Sequence, residues 1–568
     1  HYGPDLTVAD PFSGGGTVTF EAAKRGLKTY AQDLYPWPAR GLAAALGTCT
    51  PVELRKAADE VLAALKPHRS AYRTADGGEL SHVLRVRTAT CSRCASNVYE
   101  YPHGLVSLTS RGVHDNGAFF GCRACGQVTR RNRGVKSFTC GGCEKRWSLK
   151  HDATGCPHCL HDAPLRPTGW RAVLVQELVT VNGQQRAALR PVADGDPVTL
   201  DDSLSVPDAL ASKIPVGKET KRLLDNGFEF WEDLYSQRQA LVLTDGLRAV
   251  AGLDCAPAVR DRLAFSLLGA AEMPAFLSRW DRFNLKPFEG MANHRYTQTT
   301  LVVESNLLSP VGRGTIPRRL EAATQALQWF IDSRERPPKV ATTVPGRKGR
   351  KKTDWDVLVT TGSSVKQALQ TGSVSVVVTD PPYFDDVQYG ELARLFHVWL
   401  KVYDPTVIVD ESAEAVPNST RGTSTADYEA TIAACLAESR RTLKTNGRLI
   451  LTFHNKKVVA WRALAGAIAT AGLRVTALAA VLAENQGDHC KRGVHAMLHD
   501  LVIECAPANE LRLPSVSLEF TPRSAAERNL AAMGQALAEC VAARDSRDIG
   551  SRYRAHLERL GVRKRLIE

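Results

Sequence analysis

Two apolar runs of strand type, Leu6 to Ala9 and Val374 to Thr379, each end on an Asp-Pro turn. The first turn reads Asp10-Pro11-Phe12-Ser13-Gly14-Gly15-Gly16-Thr17 and the second Asp380-Pro381-Pro382-Tyr383. Ligands in open α/β sheets bind beyond the carboxyl ends of strands, so the two segments predict separated parts of one pocket. Glycine lacks Cβ and tolerates positive φ, which lets Gly14, Gly15 and Gly16 turn sharply and approach a ligand closely. A helix over Val18 to Arg25 and a strand over Lys28 to Gln32 follow, and that strand ends at Asp33. A carboxylate there can accept hydrogen bonds from both hydroxyls of a ribose. The spacing departs from Gly-x-Gly-x-x-Gly, and no Gly-Lys-Ser/Thr follows. A ribose-bearing ligand without a polyphosphate therefore fits better than a dinucleotide or nucleoside triphosphate.

The first turn resembles motif I of amino-methylating DNA methyltransferases. That resemblance implies S-adenosylmethionine as cofactor, with Asp10, Pro11, Phe12, Gly14, Gly16 and Thr17 lining the donor and Asp33 on its ribose. The second turn suits the acceptor. An exocyclic base amine is conjugated with its ring and is a poor nucleophile. The Asp380 carboxylate and the Pro381 carbonyl can each accept one amine N–H and favour a tetrahedral nitrogen. Pro381 and Pro382 stiffen the turn and remove competing backbone donors, and such preorganised polar groups lower barriers electrostatically. Tyr383 offers a stacking face worth roughly 1–3 kcal/mol per base. A base paired in a duplex must be flipped out first.

The wider stretch Phe384-Asp385-Asp386-Val387-Gln388-Tyr389, continuing through Leu392 and Phe396-His397-Val398-Trp399-Leu400, resembles the catalytic motif of bacterial adenine-specific DNA methylases containing a zinc ribbon, some of which accompany anti-phage defence systems. Further parallels are Phe228 to Arg238 with Leu241 to Thr244, Arg279-Trp280-Asp281, and Thr452-Phe453-His454-Asn455-Lys456. The resemblance implies a DNA methyltransferase acting on adenine N6, with DNA and other defence proteins as partners. Cytosine-N4 or RNA methylation remains open, as does a nucleic-acid-binding subunit that needs a partner for activity. The chain departs from the pattern at Phe384-Asp385-Asp386, where Tyr-Asp-Asn is expected, and at His454-Asn455, where two histidines are usual. Asp385, Asp386, Gln388 and Tyr389 are expected in a loop over the site, reaching base or solvent. His454 either shapes the pocket or helps carry off a proton.

Between the two turns lie four Cys-x-x-Cys pairs, Cys91/Cys94, Cys122/Cys125, Cys140/Cys143 and Cys156/Cys159. Two such knuckles complete a tetrahedral thiolate zinc site with no open position for catalysis, so two structural zinc ions are expected. We expect the pairs to combine in sequence order, with Gly141 and Gly142 as knuckle glycines. Arg123, Arg130, Arg131, Arg133, Lys136, Lys145, Arg146 and Lys150 stand against the single acid Glu144, with Phe138 and Trp147 interleaved. That mixture suits phosphate contact and stacking. The remaining cysteines, including Cys49, Cys435 and Cys505, read as buried thiols.

With 568 residues, 43% hydrophobic and 23% charged, the chain has globular composition. Its net charge of +13 points to a polyanionic partner. The absence of an 18-residue apolar stretch or a signal-type start predicts a cytoplasmic protein with no membrane association. Strand-like residues begin almost directly after His1, so an upstream segment is expected. Periodicity gives strands over Val357 to Thr360, Val374 to Thr379, Arg448 to Phe453, Leu473 to Leu482 and His499 to Cys505, separated by helical patterns. The expected fold is α/β, a Rossmann-like, seven-stranded, mostly parallel methyltransferase sheet carrying an inserted zinc-ribbon and helical domain. Its parts are residues 1–66 (donor motif), 67–200 (zinc ribbon), 201–339 (helical), 340–510 (catalytic motif) and 511–568 (surface helices). Arg347 to Lys352 reads as a basic linker or loop.

Overall fold

The computed structural model describes residues 6–112, 115–149, 155–162, 164–181, 183–200, 207–343, 354–483, 499–509, 516–562 and 565. The basic run Arg347 to Lys352 and Lys150 lie outside them. The chain divides into two compact units, one of residues 1–50, 327–393 and 406–568, the other of 51–326 and 394–405.

The first unit holds one mixed sheet of strands β1 (Thr7–Asp10), β2 (Lys28–Asp33), β3 (Val340–Thr343), β4 (Val357–Thr361), β5 (Val374–Thr379), β6 (Leu443–Phe453), β7 (Leu473–Leu482), β8 (His499–Pro507) and β9 (Ser517–Leu518). Their order across the sheet is β3-β4-β2-β1-β5-β6-β8-β7-β9. Pairing is parallel from β3 to β6 and antiparallel on both sides of β8. The sheet thus has nine strands where seven were expected. The additions, β3 and β9, are edge strands of four and two residues. β9 is too short to show a periodicity, and the Val-Ala-Thr-Thr of β3 lacks the apolar/polar alternation of a half-buried strand. β6 begins at Leu443, earlier than predicted, because Lys444-Thr445-Asn446-Gly447 reads as a turn yet is carried into the strand across a bulge between Val374 and Val376.

Alternation along the strands splits the core. Ala31, Val357 and Val359 pack on one face with Ala23, Ala39, Leu42 and Phe330. Tyr30, Leu358 and Val377 belong to a larger cluster on the other face, with Ile432, Leu436, Trp461 and Leu464. Each fully buried Val, Leu, Ile or Phe among them contributes about 1.5–3 kcal/mol. The C-terminal segment does more than coat the surface. Helix Ala525–Ala543 starts at a capping box in which Glu527 N–H donates to Ser524 Oγ at 3.1 Å and Ser524 N–H donates to Glu527 Oε2 at 2.7 Å. It buries Leu530, Met533, Leu537 and Val541. Gly534 permits the close approach, since a Cβ there would lie 2.9 Å from Leu501 Cδ2. Small alanines bury well against a sheet but carry a weak amphipathic signal, which is why these helices read as peripheral.

In the second unit, strands Gln184–Pro191, Leu165–Val181, Glu79–Cys91 and Leu301–Ser305 pair in that order, all antiparallel. One sheet therefore joins stretches that the sequence suggested were successive modules, and the cysteine knuckles are excursions from it. Helices Pro51–Leu65, Gln237–Ala251 and Pro257–Leu268 complete the unit. At its centre the fully buried Glu304 carboxylate meets Arg85 Nη2 at 2.9 Å and Arg238 Nε at 2.5 Å, and accepts from Ser236 Oγ at 2.7 Å. Burial opposes ionisation, but the two guanidinium groups outweigh it and hold the carboxyl far below its ordinary range.

Candidate active site and metal centres

Strand order reverses between β1 and β5, because the chain runs outward from β1 through β2 to β4 and then returns to β1's other side. Crevices at such switch points are where open sheets bind ligands. Ala9 pairs with Val377, so the two Asp-Pro turns leave adjacent strands side by side. Thr379 Oγ1 donates to Asp10 Oδ1 at 2.8 Å, and Phe12 N–H donates to the same oxygen at 3.2 Å. Asp10 is 3% exposed. Burial, with the negative charges of Asp33 and Asp380 nearby, raises its carboxyl to about 7.

Gly14 and Gly16 take positive φ, 45° and 81°. At Gly16 the requirement is also steric, since a Cβ would lie 2.4 Å from Leu42 Cδ1. A Cβ at Gly14 or Gly15 would meet open space. Asp33 receives Gly14 N–H at 2.9 Å and Tyr35 N–H at 3.0 Å, and burial raises its carboxyl to about 6. Ser13 Oγ is buried without a hydrogen-bond partner among the described residues. An open glycine turn, an unpartnered buried hydroxyl and an acid at the next strand end fit a ribose-bearing ligand. Pro11 is held from a residue the sequence did not single out, Ser364, whose hydroxyl donates to the Pro11 carbonyl. Thr17 is exposed at the start of helix Thr17–Lys24.

Asp380 is exposed directly after β5, and its Oδ1 accepts from both the Tyr383 hydroxyl and Thr452 Oγ1. Burial and the Asp380 charge drive the Tyr383 phenol far up, so it stays a donor. The Pro382 carbonyl is taken by Tyr428 OH at 3.0 Å, whereas the Pro381 carbonyl has no donor among the described residues. Asn455, standing where a histidine was expected, donates its side-chain amide to the Tyr383 carbonyl at 3.0 Å and fixes the turn. Phe384 is buried at a left-handed φ of 64° and packs edge-on to Tyr428, ring centroids 5.1 Å apart.

His454 Nδ1 lies 2.5 Å from Asp500 Oδ1, and its ring is 4.6 Å from that of Tyr383. Tyr383 OH also reaches Asp500 Oδ2 at 3.3 Å. Asp500 carried no sequence signal. It is brought here by the antiparallel register that sets Leu501 opposite Phe453. Of the expected loop residues, Gln388 is buried and accepts from Asn418 Nδ2 at 2.7 Å, a structural role that withdraws it from base or solvent. Asp385 pairs with Lys457 Nζ at 2.6 Å, and Asp386 is exposed.

The cysteines form two clusters, each able to hold a zinc ion, but not in sequence order. Cys91, Cys94, Cys156 and Cys159 converge in one, Cys122, Cys125, Cys140 and Cys143 in the other. The second site is nested within the first. Sγ–Sγ separations of 3.5 to 3.8 Å match the value of about 3.8 Å set by tetrahedral thiolates at ~2.3 Å from zinc. The correction has a geometric cause. β-Pairing of Cys91 with Leu165 brings the outer knuckles together, while hairpin 137–148 folds back on Cys122 and Cys125. All four knuckles repeat one turn, with the residue after the second cysteine left-handed at Ala95, Gly126, Glu144 and Leu160. Gly141 and Gly142 do not occupy that position.

Of the predicted basic face, Arg130, Arg131, Lys136, Lys145 and Arg146 are exposed and Arg133 is half-buried, whereas one cation and the two aromatic residues turn inward. Arg123 is buried and donates to the Gly155 carbonyl at 2.9 Å, and Phe138 is buried. Trp147 Nε1 donates to Cys122 Sγ at 3.2 Å. These three serve the ribbon's own core. Among the described residues no helix is long and apolar enough to cross a membrane. No family model, curated protein or solved structure matches the chain.

Proposed function

We propose that the first unit is an S-adenosylmethionine-dependent methyltransferase that modifies an exocyclic amine of a DNA base, adenine N6. The observation that carries the reading is the direct hydrogen bond from Thr379 to Asp10, which sets the donor-type turn beside the amine-accepting turn at a switch point. Its resemblance to amino-methylating enzymes supports the same conclusion. When bound, S-adenosylmethionine supplies an electrophilic methyl group. Asp33 would hold its ribose, and Asp10, Phe12 and the Gly14 to Gly16 turn would line its seat.

The acceptor residues then have distinct tasks. Tyr383 OH and Thr452 Oγ1 converge on Asp380 Oδ1 and fix the carboxylate, leaving Oδ2 to accept one amine N–H. The Pro381 carbonyl accepts the other. Both acceptors raise electron density on nitrogen and pull it out of ring conjugation. Methylation leaves the nitrogen cationic, and Asp380 is the base in reach of its surplus proton. His454 and Asp500 hold the Tyr383 ring from one side. The zinc clusters have no open coordination position and act as scaffold.

Isothermal titration with S-adenosylmethionine tests the donor seat. Base-resolved sequencing of DNA from cells expressing the protein tests base and position. A folded protein that bound no donor would overturn the reading, and N4-methylcytosine in place of N6-methyladenine would reassign the acceptor.

A further inference from the structure

The sequence placed nucleic-acid contact on the zinc module, whose Arg130, Arg131, Lys136, Lys145 and Arg146 are exposed. The second unit has a different basic surface. An open cleft of about 1040 Å³ is lined by Arg111, Arg186, Lys286, Arg313, Arg318 and Arg319, against the acids Glu272 and Glu289. The acids are accounted for, because Arg313 pairs with Glu289 and Arg319 with Glu272. That leaves Arg111, Arg186 and Arg318 with no carboxylate at ion-pair distance among the described residues, while Lys286 stands across its strand pair from Asp281, whose carboxyl it helps to lower.

These four cations come from four separate stretches of chain. Arg111 follows strand Leu105–Leu108, Arg186 lies in strand Gln184–Pro191, Lys286 in the short strand Lys286–Pro287, and Arg318 in the first turn of helix Ile316–Ser333. Like charges gathered in one cleft repel, and the long carbonyl contacts of Arg111 with Leu285 and of Arg318 with Gly312, both at 3.5 Å, leave the three arginines without a counter-charge. Such an arrangement is stabilised by an external polyanion. The volume is at the upper end for a small-molecule pocket, and the cations are spread over several walls. Successive phosphates of one strand match this spread better than a single small anion does. Arg111, Arg186 and Arg318 are solvent-exposed, with long arms and forked donors suited to phosphate oxygens.

We propose that this cleft seats the sugar-phosphate backbone of the nucleic acid on which the protein acts. The inference rests on the reading of the first unit as a base methyltransferase and adds where the polymer is gripped.

The test uses the full chain, a fluorescently labelled DNA duplex and anisotropy titrations across a salt series. R186E/R318E is expected to lower duplex affinity at least tenfold and to reduce the slope of log K against log salt by about two. S-adenosylmethionine binding should not change. R554E/R559E, an equal charge change on two exposed arginines of helix Ile549–Arg559, should have little effect. If the cleft variant kept wild-type affinity and slope, the cleft assignment would fall while DNA binding stood. If the unaltered protein bound no duplex even at low salt, the methyltransferase reading would fall with it. If polyglutamate displaced duplex at equal charge concentration and bound more tightly, again dependent on Arg186 and Arg318, the cleft would belong to an acidic protein partner.

Discussion

Thr379 Oγ1 and Asp10 Oδ1, 369 positions apart in the chain, are hydrogen-bonded at 2.8 Å. This contact locks the ends of two adjacent parallel strands and orients a buried carboxylate toward the glycine turn. Thr379→Val keeps the shape and removes the donor, which costs about 1–3 kcal/mol where a buried acceptor loses its partner. Donor affinity measured by calorimetry should fall about tenfold or more, with the fold retained by circular dichroism.

The Asp10 carboxyl is raised to about 7 by burial. The folded state therefore keeps a proton that the unfolded chain releases in the ordinary carboxylate range. Its contribution to stability is complete below that range and is lost as pH climbs to about 7. Asp10→Asn, which cannot ionise, should escape this loss. Thermal melts are expected to show the variant and wild type alike near pH 4, with the variant ahead by on the order of 2–4 kcal/mol near pH 8.

Asp380 depends on two donors converging on one oxygen. Asp380→Ala should abolish methyl transfer while leaving donor binding intact. Tyr383→Phe keeps the stacking face but frees the carboxylate, and turnover should fall about 10- to 100-fold, as expected for loss of a hydrogen bond to a charged group. Steady-state rates on a DNA substrate check both. Retained activity in Asp380→Ala would remove the catalytic assignment.

Nested pairing of the cysteines has a stoichiometric signature. Cys91 and Cys156 share one cluster, so C91S/C156S should lose one zinc per chain and keep the other. Pairing in sequence order would place these two residues in different sites, and the same variant would lose both ions. Metal content by mass spectrometry separates the outcomes.

Glu304 holds two guanidinium groups in the core of the second unit. Glu304→Ala would leave them buried and unpaired, a loss of about 3–5 kcal/mol. Because the carboxyl is held below its ordinary range, its stabilisation is present above that range and lost as pH falls through the lowered value. The variant's melting temperature should drop sharply at neutral pH, and the gap to wild type should close in strong acid.

Features that depend on neighbouring residues were legible along the chain. The glycine turn needs positive φ at Gly14 and Gly16, and a Cys-x-x-Cys pair makes its knuckle locally, so both could be read directly. Six longer strands could be read along the chain, and the four-residue β1 was marked by the Asp-Pro-glycine turn that ends it. The edge strands did not show, because Ser517–Leu518 is only two residues long and Val-Ala-Thr-Thr at 340–343 neither alternates nor ends on a marked turn.

Partners that meet through the sheets were not legible. Asp500 reaches His454 only through the register of β6 against β8, and Cys91 joins Cys156 through the pairing of Glu79–Cys91 with Leu165–Val181. Arg123 looked like a surface cation until packing buried it, while the cations of the cleft come from segments too far apart to form a run. Short-range backbone chemistry could be inferred from residue order. Which distant side chains share an ion, a proton network or a charged surface depended on chain topology, because those contacts arise from strand register and burial.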